Sequence, residues 1–268
     1  MTIRVGIVGV GGRMGAELVK ALGSVADARL AAAVDRPGSP AQGRDVGELA
    51  GLGTIGVKVG PELAAVLGEL DVVIDFSSAA AVAATAEACA AAGVALLVGT
   101  TGLDERARQQ LDAAAEKIPV LVAANTSLAL NVLLELVQRA ARSLPATYDI
   151  EIFEAHHRHK VDAPSGTALV LGEAAAAGRG DTLQRPVNLT GGQPGARARG
   201  GIGFSVVRGG DVVGEHDVRF LGDGEQLRLS HVATDRAIFA RGAVAAALWL
   251  ATRARGRYGM SDYLFHKQ

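Results

Sequence analysis

Short apolar runs alternate with longer alanine- and leucine-rich ones through the first half of the chain. IRVGIV is followed by Arg13–Leu22, then ARLAAAV, DVVIDF, Ala79–Ala92, VALLVG, Asp104–Lys117, PVLVAA and Ser127–Ala141. Strands that are apolar along their whole length, separated by helical stretches of about 10 to 15 residues, belong to a parallel sheet buried on both faces. The pattern predicts a doubly wound α/β domain.

After Ala146 the period changes. TYDIEIFEAHH alternates apolar and polar residues, as a strand with one wet face does. IGFSVVRGGDVVGEHDVRFLGDGEQLRLSHVAT reads as three or more antiparallel strands, with tight hairpins expected at Gly209-Gly210 and at Gly222-Asp223-Gly224. A helix is expected over Ser165–Ala177. A last one, Ile238–Ala251, is apolar on nearly all sides and suits burial against the first domain. The division that follows is a dinucleotide-binding domain of residues 1–126 and 235–268, with residues 127–234 inserted as an α+β domain of mainly antiparallel strands for substrate binding and oligomerisation. Antiparallel edges need covering, and pairing between copies would cover them, so a homo-oligomer is expected. LTGGQPGARARGG, Leu189–Gly201, reads as a loop, either a connector or a substrate lid.

Composition narrows the partners. Twenty-seven Lys and Arg against 28 Asp and Glu leave a net charge of -1, so no overall field holds the chain on nucleic acid or an anionic membrane. No apolar run reaches the roughly 18 residues that a membrane span needs. MTIRVGIVGVGG enters a strand pattern directly, without a basic leader, and a cytoplasmic protein is expected. The single cysteine, Cys89, reads as a small buried residue on a helix.

Chemistry first shows after the first strand, in GVGGRMG. Glycines permit a tight turn and close approach to a pyrophosphate, and the helix that starts near Arg13 offers N–H groups to its charge. The spacing is GxxGxxG, through Gly9, Gly12 and Gly15, with Met14 where strict GxGxxG would place a glycine. Asp35 stands 20 residues past Gly15 at the end of the second strand, the position from which an acid accepts hydrogen bonds from the adenosine ribose. Arg36 beside it suits a 2'-phosphate, so NADH or NADPH is expected. Strand order makes this a Rossmann-like dinucleotide fold. Thr100, Thr101 and Asn125 follow other strand ends and are candidates for the nicotinamide end; Thr101 and Ser127 equally suit helix N-caps.

EAHHRHKVDAPSGTA, Glu154–Ala168, concentrates three of the chain's six histidines and one of its five lysines within five positions. HHxH has neither HExxH spacing nor paired cysteines, so no metal is expected. One Arg, one Lys and no Trp fall short of a nucleic-acid site. A solvated basic loop and an anion site with acid catalysis are both open on these residues. The second gains from the Pro-Ser start of a helix, whose Gly166 and Thr167 N–H groups point at whatever lies ahead of it. Crowded positive groups also weaken one another's hold on protons, and a lysine in an arginine-rich chain favours proton chemistry. A lyase with Lys160 as a Schiff-base nucleophile and a nucleotide-sensing regulator are the competing functions.

GRMG after the first strand, GTTG, and above all EAHHRHKVDAPSGTA resemble the dihydrodipicolinate reductase family of lysine and diaminopimelate biosynthesis. IGFSVVRGGDVVGEHDV and FARGAVAAALWL extend the resemblance nearly end to end. It implies NADH or NADPH held by Gly9, Val10, Gly11, Gly12, Arg13 and Met14, with Asp35 at the ribose and Arg36 near a 2'-phosphate. Gly99, Thr100 and Thr101, with Ala123, Ala124, Asn125 and Thr126, would surround the nicotinamide. A small cyclic dicarboxylate would be held by His157, Lys160, Gly166 and Thr167, with His156 and Lys160 handling protons, in a homotetramer. Thr126 and Ala129 stand where the family usually carries phenylalanine and glycine, and Asp35 where it commonly carries glutamate.

Overall fold

The computed structural model describes residues 2–184, 187–189 and 196–266, so residues 190–195 of the expected loop at Leu189–Gly201 lie outside the described residues. The chain divides into two compact units, Met1–Leu128 with Ala237–Gln268, and Ala129–Arg236.

The first unit is a seven-stranded sheet of β1 (Ile3–Val8), β2 (Ala28–Val34), β3 (Val59–Gly60), β4 (Val72–Asp75), β5 (Ala95–Val98), β6 (Pro119–Val122) and β12 (Gly256–Tyr258). The order is β12-β6-β5-β4-β1-β2-β3 and every pair is parallel. Six of these strands follow the dinucleotide-fold order 3-2-1-4-5-6; β12 extends the β6 edge and was not expected from the pattern.

Alternation along each strand explains the unbroken apolar runs. Val5, Ile7, Val72, Ile74, Leu97 and Leu121 turn to one side, in a core shared with α1 (Arg13–Gly23) and α7 (Ala237–Leu250). Val8, Val73, Leu96, Val98 and Val120 turn to the other, against α3 (Ala79–Ala92) and α4 (Glu105–Ala115). Both faces are dry, so neither register of side chains is polar. Cys89 is fully buried on α3, and burial, followed by the negative charge of Asp75, pushes its thiol up to about 12. It is a packing residue. Two short helices, α2 (Val46–Leu49) and α8 (Met260–Phe265), complete this unit.

The second unit wraps a mixed sheet around one face only. β7 (Asp149–His156), β8 (Asn188–Leu189), β9 (Ile202–Arg208), β10 (Gly214–Leu221) and β11 (Gln226–Ala233) stand in the order β11-β10-β7-β9-β8. Ile150, Ile152, Phe204, Val218 and Phe220 pack under α5 (Leu128–Ser143) and α6 (Gly166–Gly178).

The Gly222–Gly224 hairpin forms as expected: Gly222 N–H donates to Glu225 O at 3.0 Å and Gly224 has φ +86°. The Gly209-Gly210 hairpin does not. β9 and β10 are not neighbours, because β7 lies between them, parallel to β9 and antiparallel to β10. Gly209 N–H donates to His156 O and Arg158 N–H to Gly210 O, so the glycine pair is pinned to the end of β7. The connection crosses that end to reach the far side.

Candidate active site

Two sets of residues in the first unit meet at the carboxyl ends of β1, β2 and β4. They line a cleft of about 740 Å³ that includes Gly9, Gly11, Gly12, Asp35 and Arg36. Gly9 sits at φ +84° to make the turn, and a Cβ on Gly15 would lie 2.1 Å from Val10 O, so the helix starts hard against the strand. Gly12 caps α1 without a side-chain hydrogen bond, and no acidic residue occupies the first turn. The positive end of α1 is therefore open to an anion. Gly11 N–H donates to Asp35 Oδ2 at 2.9 Å, and the Ser39 hydroxyl donates to the same oxygen at 3.0 Å. A Cβ on Gly11 would fall 2.2 Å from that oxygen, so the steric demand for glycine falls on 9, 11 and 15 rather than on 12.

The other expected cofactor residues lie differently. Val10 is buried, Met14 packs against the core, and Arg13 is exposed. Gly99 lies under the Phe76 ring, where a Cβ would sit 2.1 Å away. Thr100 is buried with its hydroxyl donating to Asp75 Oδ1 at 2.9 Å, whereas Thr101 is exposed. Ala123 is buried and Ala124 exposed. Asn125 Oδ1 accepts from Ser127 N–H at 2.9 Å. Thr126, 1% exposed, turns its hydroxyl to Phe239 O at 2.7 Å and spends its side chain on α7.

Phe76, Ser77 and Ser78 also line the cleft and were missed from sequence. They follow β4, which pairs with β1 at the point where strand order reverses, and the rule that singled out Thr100 applies equally to them. Asp75 just before them is fully buried; its Oδ1 accepts from Ser77 N–H and Oγ and from Thr100, joining the ends of β4 and β5.

In the second unit the basic cluster folds around a carboxylate to which sequence reading gave no role. Glu154, fully buried in β7, accepts from both terminal nitrogens of Arg208 at 2.8 Å each, from Ser165 N–H at 3.1 Å, and pairs with His156 Nδ1 at 2.5 Å. Burial alone would raise its carboxyl; the hydrogen bonds from His156, Arg208 and Ser165 outweigh it and bring the value down to about 2. An ionised carboxylate only accepts, so His156 Nδ1 carries the hydrogen and Nε2 is the nitrogen left for proton exchange. Gly214 stands beside Nε2, and its missing side chain leaves room there.

The loop after β7 places the rest. Lys160 Nζ pairs with Asp162 Oδ1 at 2.8 Å, and Arg208 donates to Asp162 O at 2.7 Å. His157 is held below the ordinary imidazole range, by desolvation first and then by the positive charges of Arg236, His156, His159 and Lys160. It offers a hydrogen bond more readily than a charge. Ser165 caps α6, accepting from Ala168 N–H at 3.2 Å, and directs the first turn with Gly166 and Thr167 outward.

His216 is a further residue to which sequence reading assigned no role. It arrives from β10, lies 5% exposed with Nε2 3.1 Å from Ser165 Oγ, and meets the His156 ring edge-on at 5.1 Å between centroids. Burial, followed by the positive charge of His156, holds it down to about 3. Among the described residues no group of three or more His, Cys, Asp or Glu is placed to hold a metal, and no helix is long and apolar enough to cross a membrane.

Comparison with known proteins agrees across the whole chain. Residues 3–126 match the family described as dihydrodipicolinate reductase, N-terminus, and residues 129–264 its C-terminal counterpart. The chain is 51% identical to the 4-hydroxy-tetrahydrodipicolinate reductase of Alkalilimnicola ehrlichii, over 98% of this chain and 99% of that one. It is 50% identical to that of Rhizobium meliloti, over 96% of each. A dipicolinate-bound dihydrodipicolinate reductase from Paenisporosarcina sp. TG-14 superposes with a TM-score of 0.79 at 25% identity, covering 99% of this chain and 100% of that chain. An amine dehydrogenase from Mycobacterium smegmatis, TM-score 0.67 at 15% identity over 96% of this chain and 95% of that one, shares the fold. With both halves matched and half the residues identical to full-length relatives, the chain belongs to the dihydrodipicolinate reductase family.

Proposed function

We propose that this chain reduces 4-hydroxy-tetrahydrodipicolinate to tetrahydrodipicolinate with NADH or NADPH, in the diaminopimelate route to lysine. The observation that carries the reading is the buried Glu154–His156 pair, fixed by Arg208 and set beside the capped start of α6. A solvated basic loop has no use for a buried carboxylate, and a lyase has none for the glycine cleft.

When bound, the nicotinamide supplies the hydride from its C4. The uncapped start of α1 holds the pyrophosphate, Asp35 accepts from the adenosine ribose, and Arg36 admits a 2'-phosphate, so either cofactor is used. His157, Lys160 and the N–H groups of Gly166 and Thr167 bind the two carboxylates of the cyclic substrate. Lys160 delivers the proton next to the reduced carbon, with His156 Nε2 as the second choice. The enzyme works in the cytoplasm as a homotetramer; β11 is an edge strand with Leu227 40% and Val232 58% exposed, surface that pairing between copies would cover.

The test is spectroscopic: NADH and NADPH oxidation with the condensation product of pyruvate and aspartate semialdehyde. No oxidation of either overturns the reading. In the active enzyme Lys160→Ala is expected to lower kcat about 100-fold or more, with the KM for NADH unchanged. Turnover near wild type would move the proton to His156.

A further inference from the structure

Ser165 is gripped from three sides. Its N–H is taken by Glu154 on β7, its hydroxyl oxygen accepts from Ala168 N–H, and the same hydroxyl lies 3.1 Å from His216 Nε2 on β10. An N-cap needs only the second of these. The hydroxyl keeps a second lone pair and its hydrogen, so it can meet His216 Nε2 in either tautomer of a neutral ring. Burial first, and then the neighbouring His156, hold His216 down to about 3, which favours the neutral ring near pH 7. Its other nitrogen, Nδ1, is buried and has no hydrogen-bond partner among the described residues, so Nε2 alone connects the ring to the site. The ring also backs His156 edge-on, on the side where Gly214 opens space beside His156 Nε2.

We propose that His216 is a positioning residue: from β10 it fixes the Ser165 hydroxyl and backs the His156 ring, so that the start of α6 and the imidazole are presented together to a dicarboxylate. This rests on the reductase reading and adds to it a residue that never touches the substrate. Losing the bond frees the Ser165 rotamer and lets the first turn of α6 drift, which weakens substrate binding and leaves the cofactor cleft untouched.

Geometry supplies the test. Glutamine places a polar atom as far from Cβ as Nε2 is in histidine, whereas asparagine reaches only as far as Nδ1. His216→Gln is expected to keep the substrate KM, and the Kd for dipicolinate on the NADH-loaded enzyme, within about threefold of wild type. His216→Asn is expected to raise both roughly tenfold, the loss of one hydrogen bond and its alignment, with the KM for NADH unchanged in both variants. Equal impairment of the two, or wild-type values for the asparagine variant, overturns the proposal. Should His216→Asn fail to fold, Ser165→Ala removes the same bond from the other side; an unchanged substrate KM there overturns it too. A wild-type enzyme that neither oxidises NADH or NADPH with the substrate nor binds dipicolinate instead rejects the reductase reading, so the two failures are distinct.

Discussion

Arg208→Leu is expected to cost the second unit about 3–5 kcal/mol, the penalty for leaving a buried charge uncompensated. Glu154 has no exposed surface, and Arg208 supplies two of the hydrogen bonds that keep it ionised. Removing the guanidinium leaves His156 and the Ser165 N–H to hold a carboxylate that burial opposes. The same change releases Asp162 O, and with it the loop that carries Lys160. Urea denaturation checks the magnitude. In the double variant Glu154→Gln/Arg208→Leu no charge is stranded, and about 2 kcal/mol should return; a simple sum of the two single losses would mean that the residues do not act as a pair.

The acid limb carries the same signature. The Glu154 carboxyl is lowered on folding, from about 4.5 to about 2. A group lowered in the folded state adds stability that is fully present above about pH 4.5 and lost as pH falls toward 2. With Arg208 gone the folded value climbs, and acid unfolding should begin at higher pH in Arg208→Leu than in wild type.

Gly242→Ala is expected to lower Tm by roughly 10 °C, from an overpacking cost of about 3 kcal/mol or more in a chain of this size. Gly242 lies on α7, and a Cβ there would fall 1.8 Å from Thr126 O and 2.9 Å from Thr126 C. The obstruction is backbone, which cannot swing aside. Thr126 is moreover tied to the same helix through Phe239 O. Scanning calorimetry checks the shift, and a raised KM for NADH should accompany it, because residues 123–126 must move to make room. Gly23→Ala is the control: nothing lies within 4 Å of its added methyl, and Tm should hold or rise. Equal melting of the two variants would show that α7 does not set the position of the 126 segment.

The strands of the first unit were legible because burial on both faces writes itself into the chain. Val72–Asp75 and Ala95–Val98 are apolar or small at nearly every position, and their side chains alternate between two cores. β12 was illegible for the opposite reason: Gly256–Tyr258 is three residues at an edge, too short to show a period. Pairing in the second unit is non-local. Two strands on either side of Gly-Gly look like a hairpin, and nothing near Gly209 announces that β7, more than 50 residues earlier, takes the place between them. The site divides along the same line. The His-Lys cluster and the PSGT helix start lie within 14 residues of Glu154 and could be read together. Arg208 and His216 stand 54 and 51 residues from the groups they hold, in stretches whose local sequence gives no hint of catalysis.

β7 also decides how long the site persists when the fold loosens. Glu154 and His156 belong to the strand that is hydrogen-bonded on both sides, whereas β11 and β8 are the edges. Edges open at low free-energy cost and a doubly paired strand opens last, nearly with the unit as a whole. The Glu154–His156 pair is therefore expected in the portion of the second unit with the slowest amide exchange, where fraying at the margins leaves the imidazole and its carboxylate in place.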